Sequence, residues 1–238
     1  MREEGFPQIS CMMHIPDEKS DRTQLAKVAN DILNRCSCAF LQPGQAIYRI
    51  RTNPQRIWDP QDIDTPPSQG ASRNQRSGRF DTPDLPVLYA CGDVETALHE
   101  TRVRLGDEIV LGTLEVLAEQ KVIDLDVVKE QVIDGYNVNA DYHYFLRGRL
   151  GSQHPADYRM LQVLAIEARA SGFAGLKFNS FYSTLRQDCQ RAVNYALFGY
   201  PIREGRLRLK SWNTVRLLKA SYDFQFGPLP HTLWEEKS

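Results

Sequence analysis

Residues 78–100 read GRFDTPDLPVLYACGDVETALHE and bring Arg79, Tyr89 and Glu100 into one short stretch. Each type suits one task on a small ligand. Arginine grips phosphate or carboxylate through two parallel N–H bonds, and tyrosine offers a large flat ring for stacking. A carboxylate stabilises positive charge that develops in a transition state. Upstream, Arg49, Arg51, Arg56, Arg73 and Arg76 join Arg79, with no lysine between 49 and 79. Such exclusive arginine use fits bidentate anion recognition. It also fits a solvated loop whose arginines pair with Asp59, Asp62 and Asp64. Gly78 beside Arg79 favours a ligand, since glycine allows close backbone approach.

Plainer readings stand beside these. On a helix, Glu100 and Arg104 form an i,i+4 pair worth a few tenths of a kcal/mol. Tyr89 is a good strand former and fits a sheet face. His99 is no partner for Glu100, because successive helical residues diverge by about 100°. The chain contains no serine–histidine–aspartate spacing, Gly-rich phosphate loop or HExxH run.

The elements that must position these residues follow from periodicity and turn chemistry. Apolar residues at Leu25, Val28, Ala29, Ile32, Leu33 and Cys36 predict a helix over 21–36, capped by Ser20 or Asp21, after an irregular or extended lead-in. Residues 46–51 alternate as a strand, followed by a polar stretch to Arg79 rich in proline. A strand over 86–91 leads through the cap Asp93 into a helix over 94–105. That helix sets Val94, Ala97, Leu98, Thr101 and Leu105 on its buried face, with Glu100 at the border. Strands are predicted at 108–116, 121–125, 175–178, 192–198, 206–209 and 215–221, and helices at 141–150 and 156–170. Gly172 ends the last helix. Strands and helices mix without strict alternation, which gives an α+β fold.

Composition bounds the rest. The chain has 238 residues, 42% hydrophobic and 25% charged, enough for one large domain or a domain with an appendage. A formal net charge of −1 provides no global field for nucleic acid or an anionic membrane. No apolar run reaches the roughly 18–20 residues of a membrane span, and residues 1–21 lack the apolar core of a signal peptide. The five cysteines, at 11, 36, 38, 91 and 189, contain no second pair at metal-ligand spacing. The expectation is a reduced, cytoplasmic protein with inert thiols and no metal. The segment with Arg203, Arg206, Arg208 and Lys210 reads as a basic edge strand.

In chain order, the pieces resemble the RES domain family. They are Tyr48–Arg49, SGRFD at 77–81, PVLYA at 86–90, ETALHET at 95–101, GLKFNS at 175–180 and NYALF at 194–198. The resemblance covers about residues 46–200, within a catalytic domain of 46–238. Residues 1–45 form an N-terminal extension, whose helix is either a docking element or part of the core. It implies an ADP-ribosyltransferase-like fold of twisted mixed and antiparallel sheets flanked by helices. The implied activity is NAD consumption, with NAD as substrate and no metal, in a toxin of a toxin–antitoxin pair. The family's arginine, glutamate and serine fall on Arg49, Glu100 and Ser180, with Ser183 as the alternative serine. Arg79, Tyr89 and Tyr48 would bind substrate, and Glu100 would face the ribose. Hydrolysis or phosphorolysis of the nicotinamide–ribose bond is the implied reaction. The alternatives are mono-ADP-ribosyl transfer to a protein and a non-catalytic nucleotide-binding domain. The implied partner is a helix-turn-helix antitoxin, with neither membrane nor direct nucleic-acid binding.

Overall fold

The computed structural model describes residues 21–52, 63–64, 78–128, 132–133, 136–137, 150, 155–180 and 192–219. The lead-in, Arg56, Arg73, Arg76, Asp59, Asp62, Ser183 and the tail past 219 lie outside them. So does the helix expected over 141–150, apart from Leu150.

Helix α1, Arg22–Arg35, starts where the Asp21 carboxylate accepts the Gln24 N–H at 2.8 Å. That bond satisfies one of the orphan donors of the first turn. Leu25, Ala29, Ile32 and Leu33 form its buried stripe. The chain then turns extended at Cys36 and passes directly into β1, Cys36–Leu41, a strand the periodicity does not reveal. Next come β2, Ala46–Arg51, and β3, Val87–Cys91. Helix α2 spans Val94–Glu100, followed by β4, Glu108–Val116, and β5, Gln120–Val128. The short β6, Val132–Ile133, and β7, Tyr136–Asn137, pair with each other. Helix α3, Pro155–Ala170, precedes β8, Gly175–Asn179, β9, Val193–Phe198, and β10, Leu207–Arg216.

Eight strands form one sheet in the order β1-β5-β8-β9-β3-β2-β4-β10, antiparallel throughout except for β5 with β8. The α+β class is as expected, with helices flanking a mixed sheet. Helices α1 and α3 cover one face, where Leu25, Ile32, Met160 and Leu164 pack with Ile123, Leu176 and Phe198. The Asn30 side-chain amide donates to Glu167 at 3.0 Å and ties the two helices together. Helix α1 is thus part of the core. A second cluster, including Ile47, Leu88, Leu114 and Leu197, fills the opposite face.

Two expectations change. The helix starting at 94 ends at Glu100 instead of 105, and Leu105 is 59% exposed. The Thr101 hydroxyl donates back to the Ala97 carbonyl oxygen, and Arg102 takes φ 52. Arg102 N–H then bonds His99 O while Val103 N–H bonds Leu98 O, the double bond pattern of a left-handed helix terminator. The separate strands expected at 206–209 and 215–221 are one strand, β10, bulged between Leu209 and Ser211. It pairs along β4 and lies at the sheet edge, as its basic alternation suggests. Helix α3 does end as expected, with Gly172 at φ 82.

Candidate active site

Strands β2 and β3 are neighbours but share a single registered pair, Tyr48 with Cys91. The sheet opens beside that pair, and α2 lies across β2 and β3. A cleft of about 970 Å³ forms there, lined by Tyr48, Arg49, Arg51, Arg79, Tyr89 and Glu100 among others. That volume is at the upper end of ligand-pocket sizes, ~300–1,000 Å³. Five of the six residues expected at the site therefore share one cavity. The sixth, Ser180, is buried behind it and bonded to Glu100.

Asp93 fixes the entry of α2. Its carboxylate accepts the Thr96 N–H at 2.8 Å and the Thr96 hydroxyl at 2.7 Å. Ala97 packs against Ile50, Cys91 and Ile109, which sets the rotation of the helix. Glu100, at its last position, turns inward. Its Oε1 accepts from Ser180 Oγ at 2.5 Å and from Asn194 Nδ2 at 2.7 Å. The helix surface carries a different pair, His99 Nε2 with Glu95 at 3.9 Å. Arg104 lies beyond the helix end, where its N–H donates to Asp107. The surface pair of Glu100 with Arg104 does not form, because α2 stops before the turn that would support it.

Arg49 projects from the middle of β2 and is 4% exposed. Its Nη1 donates to the main-chain carbonyl oxygen of Tyr89 at 3.1 Å. Burial, and then Arg51, lower the pKa of its guanidinium, while Asp64, Tyr89 and Asp81 act the other way. An arginine stays protonated regardless. The cleft therefore has a desolvated cation in its wall. Asp64, the first of these opposing charges, is not part of a solvated loop. It is fully buried, and its Oδ2 accepts the N–H groups of Ile202 and Arg203 at 3.2 and 3.0 Å.

Tyr89 is half-buried, and its hydroxyl bridges the Arg79 loop. It donates to Asp81 Oδ1 at 2.9 Å and accepts the Phe80 N–H at 2.9 Å. Burial, and then Asp81, raise its pKa well above the usual tyrosine value. Gly78 is required here for a reason other than ligand approach. A Cβ at that position would collide with Asp81 and sit 2.7 Å from the Tyr89 hydroxyl. From the helical side, Gln162 Nε2 donates to Asp81 O at 3.2 Å and reaches Gly78 O at 3.4 Å.

Tyr158, Gln162, Cys91 and Asn194 also line the cleft, and residue types alone did not single them out. Cys91 Sγ donates to Asn194 Oδ1 at 3.2 Å. Burial first, then Glu100 and Asp93, push that thiol up to about 12, so it keeps its proton. The one available signal was Asn194 in the NYALF segment, where a polar residue opens a run of buried ones. Among the described residues, no cluster of histidine, cysteine, aspartate or glutamate is arranged to hold a metal. No described helix is long and apolar enough to cross a membrane.

No curated protein matches the chain. Among solved structures it is similar to one described as "Crystal structure of the M.tuberculosis MbcT-MbcA toxin-antitoxin complex". The two are 12% identical, the match covers 81% of this chain and 92% of that one, and the TM-score is 0.49. The model of the RES domain matches residues 46–216, which include β2, the cleft, Glu100 and Ser180. The chain belongs to the RES domain family.

Proposed function

We propose that this protein is an NAD-consuming enzyme that cleaves the nicotinamide–ribose bond in the cleft between β2 and β3. The observation that carries the proposal is the Glu100 carboxylate, held through Oε1 by Ser180 and Asn194 in a cavity shared with three arginines. Membership of the RES domain family supports the same reading.

The chemistry suits these residues. When the bond from the ribose anomeric carbon to the nicotinamide nitrogen breaks, its electron pair goes to nitrogen. The pyridinium leaves as neutral nicotinamide, and no general acid is needed. The sugar passes through an oxocarbenium-like state, as in glycoside cleavage. Glu100 stabilises that charge and holds the ribose hydroxyls. Arg49 and Arg79 take the pyrophosphate, and an incoming anion relieves the cost of the buried Arg49 cation. Tyr48 and Tyr89 wall the nicotinamide or stack on it. Ser180 acts on the carboxylate through its bond to Glu100. Water or inorganic phosphate then adds to the anomeric carbon, and its proton leaves to solvent.

In a cell this activity would deplete a shared cofactor, which fits a cytoplasmic toxin restrained by an antitoxin that covers the cleft. The test is to incubate the purified protein with NAD and follow nicotinamide, with and without phosphate. Free ADP-ribose indicates hydrolysis, and a phosphorylated ADP-ribose product indicates phosphorolysis. Label from NAD on a protein, with little free ADP-ribose, would mark a transferase. Tight NAD binding without release would mark a binding domain and would overturn the proposal.

A further inference from the structure

We infer that Asn194 is a positioning residue that sets the Glu100 carboxylate for bond cleavage, and that Cys91 in turn orients Asn194. The inference rests on the NAD-cleaving reading above. Glu100 stands at the last position of a seven-residue helix, just before Thr101 and the left-handed Arg102. A glutamate there has three side-chain torsions and little helix to restrain them. Two donors meet on its Oε1, Ser180 Oγ from the end of β8 and Asn194 Nδ2 from β9. With Oε1 occupied by two donors, Oε2 is the oxygen left to serve a ligand in the cleft.

The carboxamide of Asn194 works in one orientation only. Its Nδ2 faces a carboxylate oxygen, and its Oδ1 faces the Cys91 thiol at 3.2 Å. A flipped amide would set oxygen against Oε1 and lose the bond to Glu100, while its NH₂ group would meet the sulfur of Cys91, only a weak acceptor. The thiol, donating to Oδ1, therefore does more than fill space: it reinforces the rotamer that donates to Glu100. Asn194 is 5% exposed in a strand whose following positions are buried. An amide in such a place is costly to leave unpaired, and here both its ends are matched.

The test compares wild type with Asn194→Ala and the isosteric Asn194→Asp, with thermal melting to confirm that each is folded. Nicotinamide release should fall about 100-fold in kcat, the scale on which a misplaced reacting group costs rate. KM for NAD should stay within about threefold, since ground-state contacts are retained. Cys91→Val, which has no donor, should lower kcat further than Cys91→Ser, which keeps one. A crystal structure of Asn194→Ala should show Oε1 of Glu100 displaced from Ser180. Wild-type kcat in folded variants, or a carboxylate left in its original place, overturns the inference. If wild type itself releases no nicotinamide, the NAD reading fails, and the crystal structure alone decides the positioning role.

Discussion

Arg49 Nη1 donates to the main-chain carbonyl oxygen of Tyr89 at 3.1 Å, across the gap where β2 and β3 share one registered pair. The side chain stitches the opened sheet through Nη1, and Arg49 lines the cleft as a buried cation. Lysine carries the charge but lacks the planar fork. Arg49→Lys should therefore lower kcat/KM for NAD by about 100-fold, the loss seen when a preorganised donor to developing charge is removed. Steady-state nicotinamide release checks this, and a loss under threefold would remove Arg49 from the proposed site.

Gly78 lies where any side chain would collide with Asp81 and the Tyr89 hydroxyl. Gly78→Ala should cost about 1–3 kcal/mol, typical of inserting a methyl into a filled site. It should also raise KM, because the loop carrying Arg79 shifts. Urea unfolding and NAD titration give the two readouts.

Arg102 holds φ 52 at the position after the α2 cap, where glycine is usual. A left-handed conformation costs a non-glycine residue roughly 1–2 kcal/mol. Arg102→Gly should raise stability by about 1 kcal/mol and keep the helix boundary at Glu100. A melting temperature unchanged or lowered would contradict this.

Cys91 has its pKa raised from 9.0 to about 12 in the folded state. Above pH 9 the unfolded chain loses this proton while the native one keeps it. Stability is therefore full below pH 9 and declines as pH rises toward 12, at up to about 1.4 kcal/mol per pH unit. The raised pKa of Tyr89 acts in the same direction at higher pH. In Cys91→Ser the decline should be shallower between pH 9 and 10. Urea midpoints across that range test the sign.

What the sequence revealed depended on whether the signal was local. Asp21 and Asp93 cap their helices as read, because capping is decided within three residues. Gly172 marks the end of α3, whereas α2 ends in the same bond pattern on Arg102, which carries no such mark. Strand β1 carries no local mark, because Cys36 is both the helix cap and the first strand residue, with no turn between. That Arg49, Arg79, Tyr89 and Glu100 meet in one cleft was legible through motif order. The contacts of Glu100 with Ser180 and Asn194 span 80 and 94 residues. They are made by sheet order, which periodicity does not encode. Gln162 and Tyr158 sit on a helix whose pattern reads as ordinary core.

Whether Glu100 acts on NAD in this cleft is decided by nicotinamide release from wild type and Glu100→Gln under identical conditions. The side chains are nearly isosteric, so folding should be preserved and only the charge removed. Steady release by wild type and a fall of at least about 100-fold in Glu100→Gln are expected, the scale for losing an electrostatic stabiliser. Equal release by the two proteins, or none by wild type, would contradict this role of Glu100.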